Sequence, residues 1–419
     1  MNFFQRNKKV FLIIIFLAFV ILMAYFLWVI FFKSDSQIVE PNIEEPGLID
    51  GLPVSPTGTP NIIDGGQDEG DDKDDDLFPN IGPNITERDT TDFIAGGSVT
   101  KVEQVDSNNT MSLTATTNGD VQYYNQNDNY FYRINSSGEL ERMSDQMFYN
   151  VEDVTWSSVG DKAVIEYPDG RKIMYNFETE KQVSLQSHWH DFSFSPSGDS
   201  LVSKSIGLEP ENRFLITSND DGSNARVIEA IGKNANLVYD AWSPNNQVIA
   251  LYTEGVDFDR QKVFFIGQNG ENFQSTTIQG RGFEPLWSEE GDMLLYSVYN
   301  SNNNFNPSLW VVGGSPDNIG QGRTNLEIGT WASKCSFANN NEIYCAVPKT
   351  LPEGAGLFPE LADESEDILY RIDLTNGTKE IIAIPETAYN ISNIVVPNDE
   401  SAIYFTDKTD NSLYKINLK

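Results

Sequence analysis

The sequence predicts an all-β fold, a ring of seven four-stranded blades with six to eight as the range, preceded by one apolar helix and an acidic linker. Three observations carry this. One phrase, an apolar strand ending in an aromatic residue and a Ser-Pro-like turn, recurs along most of the chain. An uninterrupted apolar run stands near the N-terminus. Between them lies a stretch rich in Pro, Gly, Asp and Asn that has no apolar periodicity.

The apolar run covers residues 10–32, 23 residues without Gly, Pro or charge. That is enough for a helix to cross a bilayer. A cleaved leader is the competing reading, but its apolar part is usually shorter and ends at small residues, whereas FFKSDSQ follows here. Arg6, Lys8 and Lys9 precede the run and only Lys33 follows closely, which orients residues 1–9 to the cytoplasm and everything after Lys33 to the outside. The membrane is therefore an expected partner, reached through this helix.

Of the 419 residues, 62 are acidic and 28 basic, a net charge of −34. Residues 1–33 carry +4, residues 34–95 carry −14 and the remainder −24. An outer part this acidic repels phosphate backbones, so nucleic acid is excluded as a partner. Residues 33–95 include EGDDKDDD at Glu69–Asp76. Such a stretch cannot bury a core and reads as a disordered tether with a span on the order of 45 Å. The carboxylate run lacks the spaced ligands and turn glycine of a calcium loop.

Residues 96–419 hold the repeat. Taking the residue before each Ser-Pro-like turn as anchor, the copies fall at Ala115, Trp156, Phe194, Trp242, Trp287, Phe337 and Val395, spaced by 41, 38, 48, 45, 50 and 58 residues. Four residues after each anchor stands Gly, Asn or Asp, at Gly119, Gly160, Gly198, Asn246, Gly291, Asn341 and Asp399, where a tight reversal favours a residue tolerant of positive φ. β-rich segments follow, among them AVIEY from Ala163 and VIALY from Val248, then a further strand such as KVFFIG from Lys262. Asp221-Gly222, Asn269-Gly270 and Asn376-Gly377 signal two-residue hairpin turns. Four antiparallel strands per period make one blade, with the aromatic anchors packed between neighbours. The last copy ends one strand short, and SVTKVEQV at Ser98–Val105 is the strand available to complete it and latch the ring.

WSPNN at Trp242 and FSPSG at Phe194 resemble the TolB-type, WD40-like propeller repeat with its W-S-P-D-G signature, also found in the propellers attached to prolyl oligopeptidases; ANNN after Phe337 and VPNDE after Val396 are degenerate copies. The resemblance extends over about residues 98–419 and implies the fold. TolB-type proteins carry six blades and a preceding α/β domain, neither of which matches here, so their role is not transferred.

In such a ring the anchor turns lie on one face, and the connections between second and third strands lie on the other. The latter are long around Gly207–Asn212, Glu254–Arg260, Asn300–Pro307 and above all Pro348–Glu366. Long loops on a rigid scaffold are where binding concentrates, although drifted insertions are the competing reading. Leu357, Phe358 and Leu361 are the candidate contacts for a partner. His188, Trp189 and His190, at a crossing between blades, are the second set of binding candidates. Two histidines without further aligned ligands make a metal site an unfavoured reading. Cys335 and Cys345 bracket a predicted hairpin and fall opposite one another. They pair as a disulfide, as the outer side of a membrane favours, or remain two buried thiols.

There is no G-x-S-x-G elbow and no sequence after the final blade for a catalytic domain, so neither an enzyme nor a cofactor is expected. The functional expectation is a membrane-anchored, extracytoplasmic scaffold binding an envelope protein. The alternative is a propeller that binds a glycan or small ligand in its central funnel.

Overall fold

The computed structural model describes residues 91–419 apart from Asn108, together with Phe19, Leu22 and Met23. These three are helical and exposed. The rest of the predicted span and the linker up to residue 90 lie outside the described residues. Among the described residues no helix is long and apolar enough to cross a membrane.

Seven antiparallel sheets follow one another along the chain: blade one (residues 110–142), two (153–184), three (189–230), four (238–279), five (281–325), six (335–385) and seven (391–417). Each blade is too thin to bury its own apolar side chains, so it buries them against its neighbours. The buried residues accordingly form seven clusters, one at each blade-to-blade seam, including the closing seam where Tyr123 and Val121 of blade one meet Tyr404 and Leu413 of blade seven. All three tryptophan anchors sit in these seams: Trp242 is buried between blades three and four, Trp156 lies edge-on to Phe131 at 5.4 Å, and Trp287 to Phe265 at 6.4 Å.

Closure uses the N-terminal strand, in two pieces rather than one. Glu103–Asp106 is the outermost strand of blade seven, antiparallel to Leu413–Asn417. Ser98–Thr100 instead runs parallel to Lys379–Pro385 and adds a fifth strand to blade six. The segment therefore clamps two blades. Residues 92–95, assigned to the linker from sequence, already engage the ring: Asp92 bridges Thr100, and the Ala95 amide donates to the Asn417 carbonyl at 2.8 Å.

The anchor turns use a left-handed residue at Gly119, Gly160, Gly198, Asn246 and Gly291, as expected. In blade seven the left-handed residue is Glu400 (φ 50°) rather than Asp399. In blade six the strands pair up to Asn339 and Glu342, and the two residues between them turn without positive φ. The Asp-Gly and Asn-Gly pairs close larger loops than predicted. Gly222 and Gly270 end loops 220–222 and 268–270, where the amide of each glycine donates to Asn219 and Gly267 respectively, and Gly377 ends loop 374–377. A type I turn followed by a left-handed glycine gives the same reversal with one more residue. Cys335 and Cys345 are cross-strand partners in blade six, with Cα atoms 4.1 Å apart, and are disulfide-bonded.

Candidate binding face

The two ends of the ring differ because the connections differ. At the anchor-turn end the turns are short and hydrogen-bonded from blade to blade, as in Gln122 Nε2 to the Gly160 carbonyl (2.9 Å) and Asn245 Nδ2 to the Gly291 carbonyl (2.6 Å). A cavity of about 440 Å³ lies there, lined from every blade, with Phe194, Trp242 and Phe337 among its walls. Glu289 also lines it, and burial beside Glu290 pushes its carboxyl above the usual range.

The opposite end carries the long loops, and in blades four to six they are joined. Ser301 donates through its amide (2.8 Å) and hydroxyl (2.7 Å) to Asp259 of the neighbouring loop. The Gly354 and Gly356 amides donate to the carbonyls of Asn304 and Phe305, both at 2.8 Å, and Asn306 Oδ1 accepts from Ala355. Asn304 (φ 58°) and Phe305 (φ 55°) are consecutive left-handed residues. For a bulky residue that conformation costs on the order of 1–3 kcal/mol, and the flanking hydrogen bonds hold it. Gly356 is needed where it is, because a Cβ there would stand 2.6 Å from the Phe305 carbonyl oxygen. The outcome is one platform built from loops 256–259, 300–307 and 349–366.

Its surface is apolar. Phe258 is 72% exposed and lies edge-on to Phe305 at 5.9 Å. Val256, Leu357, Phe358 and Leu361 are exposed alongside, the last three set by a turn in which the Leu357 and Phe358 amides donate to Gly354 and by the short 3-10 segment Pro359–Ala362. Thus the structure brings Leu357, Phe358 and Leu361 onto the same platform as Val256 and Phe258. Glu254, Glu353, Glu360 and Glu364 surround it with no ion-pair partner among the described residues.

Towards the ring axis the same face contains a pocket of about 320 Å³ lined by Trp331, Lys334, Asn390 and Lys408. Lys334 Nζ donates to both Asp367 oxygens (2.9 and 3.2 Å) and to Asn390 Oδ1 (3.2 Å), so its three protons are all engaged. Burial raises the Asp367 carboxyl above its ordinary value against the pull of Lys334. Neither residue was singled out from sequence, since their partners lie in other strands and another blade.

The second predicted set divides. Trp189 is buried in the seam between blades two and three, where it packs with Leu185 and Phe192; burial there takes it out of any surface contact. His188 and His190 are exposed on either side of it. The His190 imidazole is held below its ordinary pKa by burial and then by the Lys172 ammonium. Among the described residues no group of three His, Cys, Asp or Glu is placed to hold a metal ion. What spacing could not show is a bulge in the innermost strands of blades one, three, five, six and seven, where register slips at Met111/Thr114, His190/Ser193, Arg281/Glu284, Phe337/Asn339 and Ile391/Asn393. Bulges re-aim side chains. In blade three the bulge puts Asp191 (φ 52°) against Lys204, 2.7 Å away.

No protein-family model and no curated protein matches the chain. Solved structures do. The propeller domain of the Trilobed protease from Pyrococcus furiosus, described as having an open velcro topology, aligns with TM-score 0.52 at 12% identity over 75% of this chain and 96% of that one. An oligogalacturonate lyase in complex with manganese aligns with TM-score 0.51 at 12% identity, over 76% and 91%. TolB from Acinetobacter baumannii aligns over 64% and 65% at 13% identity with TM-score 0.42. At these identities the likeness shows the fold alone. The chain is similar to β-propeller proteins, and its ring, unlike an open velcro, is closed by its own N-terminal strand.

Proposed function

We propose that this protein is a non-catalytic, membrane-anchored scaffold whose propeller stands outside the cytoplasm and binds an envelope protein through the platform of blades four to six. The observation that carries the reading is the platform itself. Five apolar side chains from two loops are presented on a backbone that hydrogen bonds already hold in place, so little ordering entropy opposes docking. The apolar run at residues 10–32 and the Cys335–Cys345 bond, which persists in oxidising compartments, support the location. A second reading, a small ligand in the central channel, is favoured by the axial cavity walled by Phe194, Trp242 and Phe337.

The test is site-specific photocrosslinking of the full-length protein in its native membrane, with the probe at Phe358 and, as control, at Asn398 on the anchor-turn end. A discrete protein adduct from position 358 only, lost on Phe258→Asp or Leu361→Asp, supports the scaffold. Identical adducts from both positions, or none from 358, sink it.

A further inference from the structure

A cleft opens between blades one and two, on the long-loop face but away from the platform. It encloses about 530 Å³, room for one or two sugar rings, and is lined by Gln126, Asn129, Tyr149, Asn150, Asp169 and Arg171. We propose that it binds an acidic saccharide, a pyranose bearing a carboxylate. This assignment is independent of the scaffold reading.

The argument begins with what holds the cleft. One wall is the crossing from blade one to blade two, where Phe148 and Val151 are buried and leave Tyr149 and Asn150 between them exposed. The Phe148 amide donates to the Asn129 carbonyl at 2.9 Å, and its carbonyl accepts from the buried Tyr124 hydroxyl. Asn150 is left-handed at φ 55°. Tyr149 is therefore an outward ring, 60% exposed, on a fixed backbone. The other wall is the tight reversal Tyr167-Pro168-Asp169-Gly170-Arg171, closed by the Gly170 amide to the Tyr167 carbonyl and the Tyr167 amide to the Arg171 carbonyl, both at 2.9 Å.

The free chemistry then matches one ligand class. Arg171 stacks its guanidinium on the Tyr167 ring at 4.1 Å, and its side chain makes no hydrogen bond or ion pair with another described residue. In a part of the chain carrying −24, an arginine left without a carboxylate keeps its planar fork for one brought by a ligand. Asp169 is not that partner: its Oδ1 accepts the Arg171 backbone amide at 3.0 Å. Its remaining lone pairs accept from hydroxyls. Asn150 offers both a donor and an acceptor, Gln126 its Oε1 and Asn129 its Nδ2, since Gln126 Nε2 already donates to Met111 Sδ (3.5 Å) and Asn129 Oδ1 already accepts from Tyr124 (3.3 Å); together these suit vicinal hydroxyls. The Tyr149 ring supplies the flat apolar surface on which the C–H face of a pyranose lies.

The test is binding of the full chain to an array of envelope-type oligosaccharides, each uronic-acid-containing member paired with its neutral analogue. Tyr149→Ala and Arg171→Gln alter exposed residues, and unchanged thermal unfolding of each variant certifies the fold. The expected result is retention of acidic members in preference to neutral ones, weakened at least about tenfold by Tyr149→Ala. Arg171→Gln removes the preference. No retained saccharide, equal retention of acidic and neutral partners, or retention indifferent to both substitutions overturns the assignment.

Discussion

Lys334 and Asp367 form an ion pair, 2.9 Å from Nζ to Oδ2, that fastens the entry of blade six to the start of its third strand and, through Asn390 and the Ile391 amide (2.7 Å), to blade seven. Asp367 has no side-chain exposure. Removing the cation alone leaves a buried, uncompensated carboxylate, which costs about 3–5 kcal/mol. Lys334→Ala is therefore expected to lower the urea midpoint sharply, and Lys334→Met combined with Asp367→Leu to recover part of the loss, the rest being the Ile391 amide and Asn390 left unpaired. A single-variant loss below about 1 kcal/mol would contradict a pairing role.

Asp240, on the innermost strand of blade four, has both carboxylate oxygens buried without a hydrogen-bond partner among the described residues. Burial raises its carboxyl well above the ordinary value, with Lys204 opposing and Asp191 reinforcing the shift. With the folded-state pKa raised, the folded state holds a proton that the unfolded state releases. The contribution of Asp240 to stability is then greatest below the ordinary carboxylate range and falls as pH rises from that range towards the folded-state pKa. Asp240→Asn is expected to match the parent near pH 4 and to be more stable at pH 7 by about 1 kcal/mol or more, read from denaturant unfolding across that interval. Parallel pH profiles for the two proteins would refute the buried, unpaired placement.

Asp106 lies at the end of the latch strand and accepts from the Tyr123 hydroxyl (2.7 Å) and Asn125 Nδ2 (2.8 Å), both in blade one. It thereby ties blade seven's outer strand to its other neighbour. Losing two hydrogen bonds to a charged acceptor costs about 2–4 kcal/mol, because the fully buried Tyr123 is left unpaired. Asp106→Ala is expected to speed hydrogen exchange first in Leu413–Asn417 and Val121–Asn125; uniform exchange across all seven blades would argue against a local latch.

Much of this fold is legible without coordinates. The anchors, the turn residues four positions on and the β-rich segments between them specify seven copies of one blade, and seven sheets are present. Cys335 and Cys345 fall opposite each other for the same reason, since a hairpin fixes register over a few residues. Loop length likewise marks residues 349–366 as exceptional. Trp189 shows the limit of such reasoning: an aromatic residue between two exposed histidines is a seam residue once its neighbouring blade is in place.

What the sequence by itself determined is the set of interactions local to one repeat: strand, turn, hairpin, blade and their number. Only the tertiary structure decided how the closing segment divides between blades six and seven, which bulges re-aim the innermost strands, and that Phe258, Phe305 and Leu357 belong to one surface. It also decided that Lys334 meets Asp367, and that Tyr149 faces the turn bearing Arg171. The physical reason is separation along the chain. Local periodicity encodes contacts between residues a few positions apart, whereas these features come from segments tens or hundreds of residues distant, which become neighbours only when the ring closes.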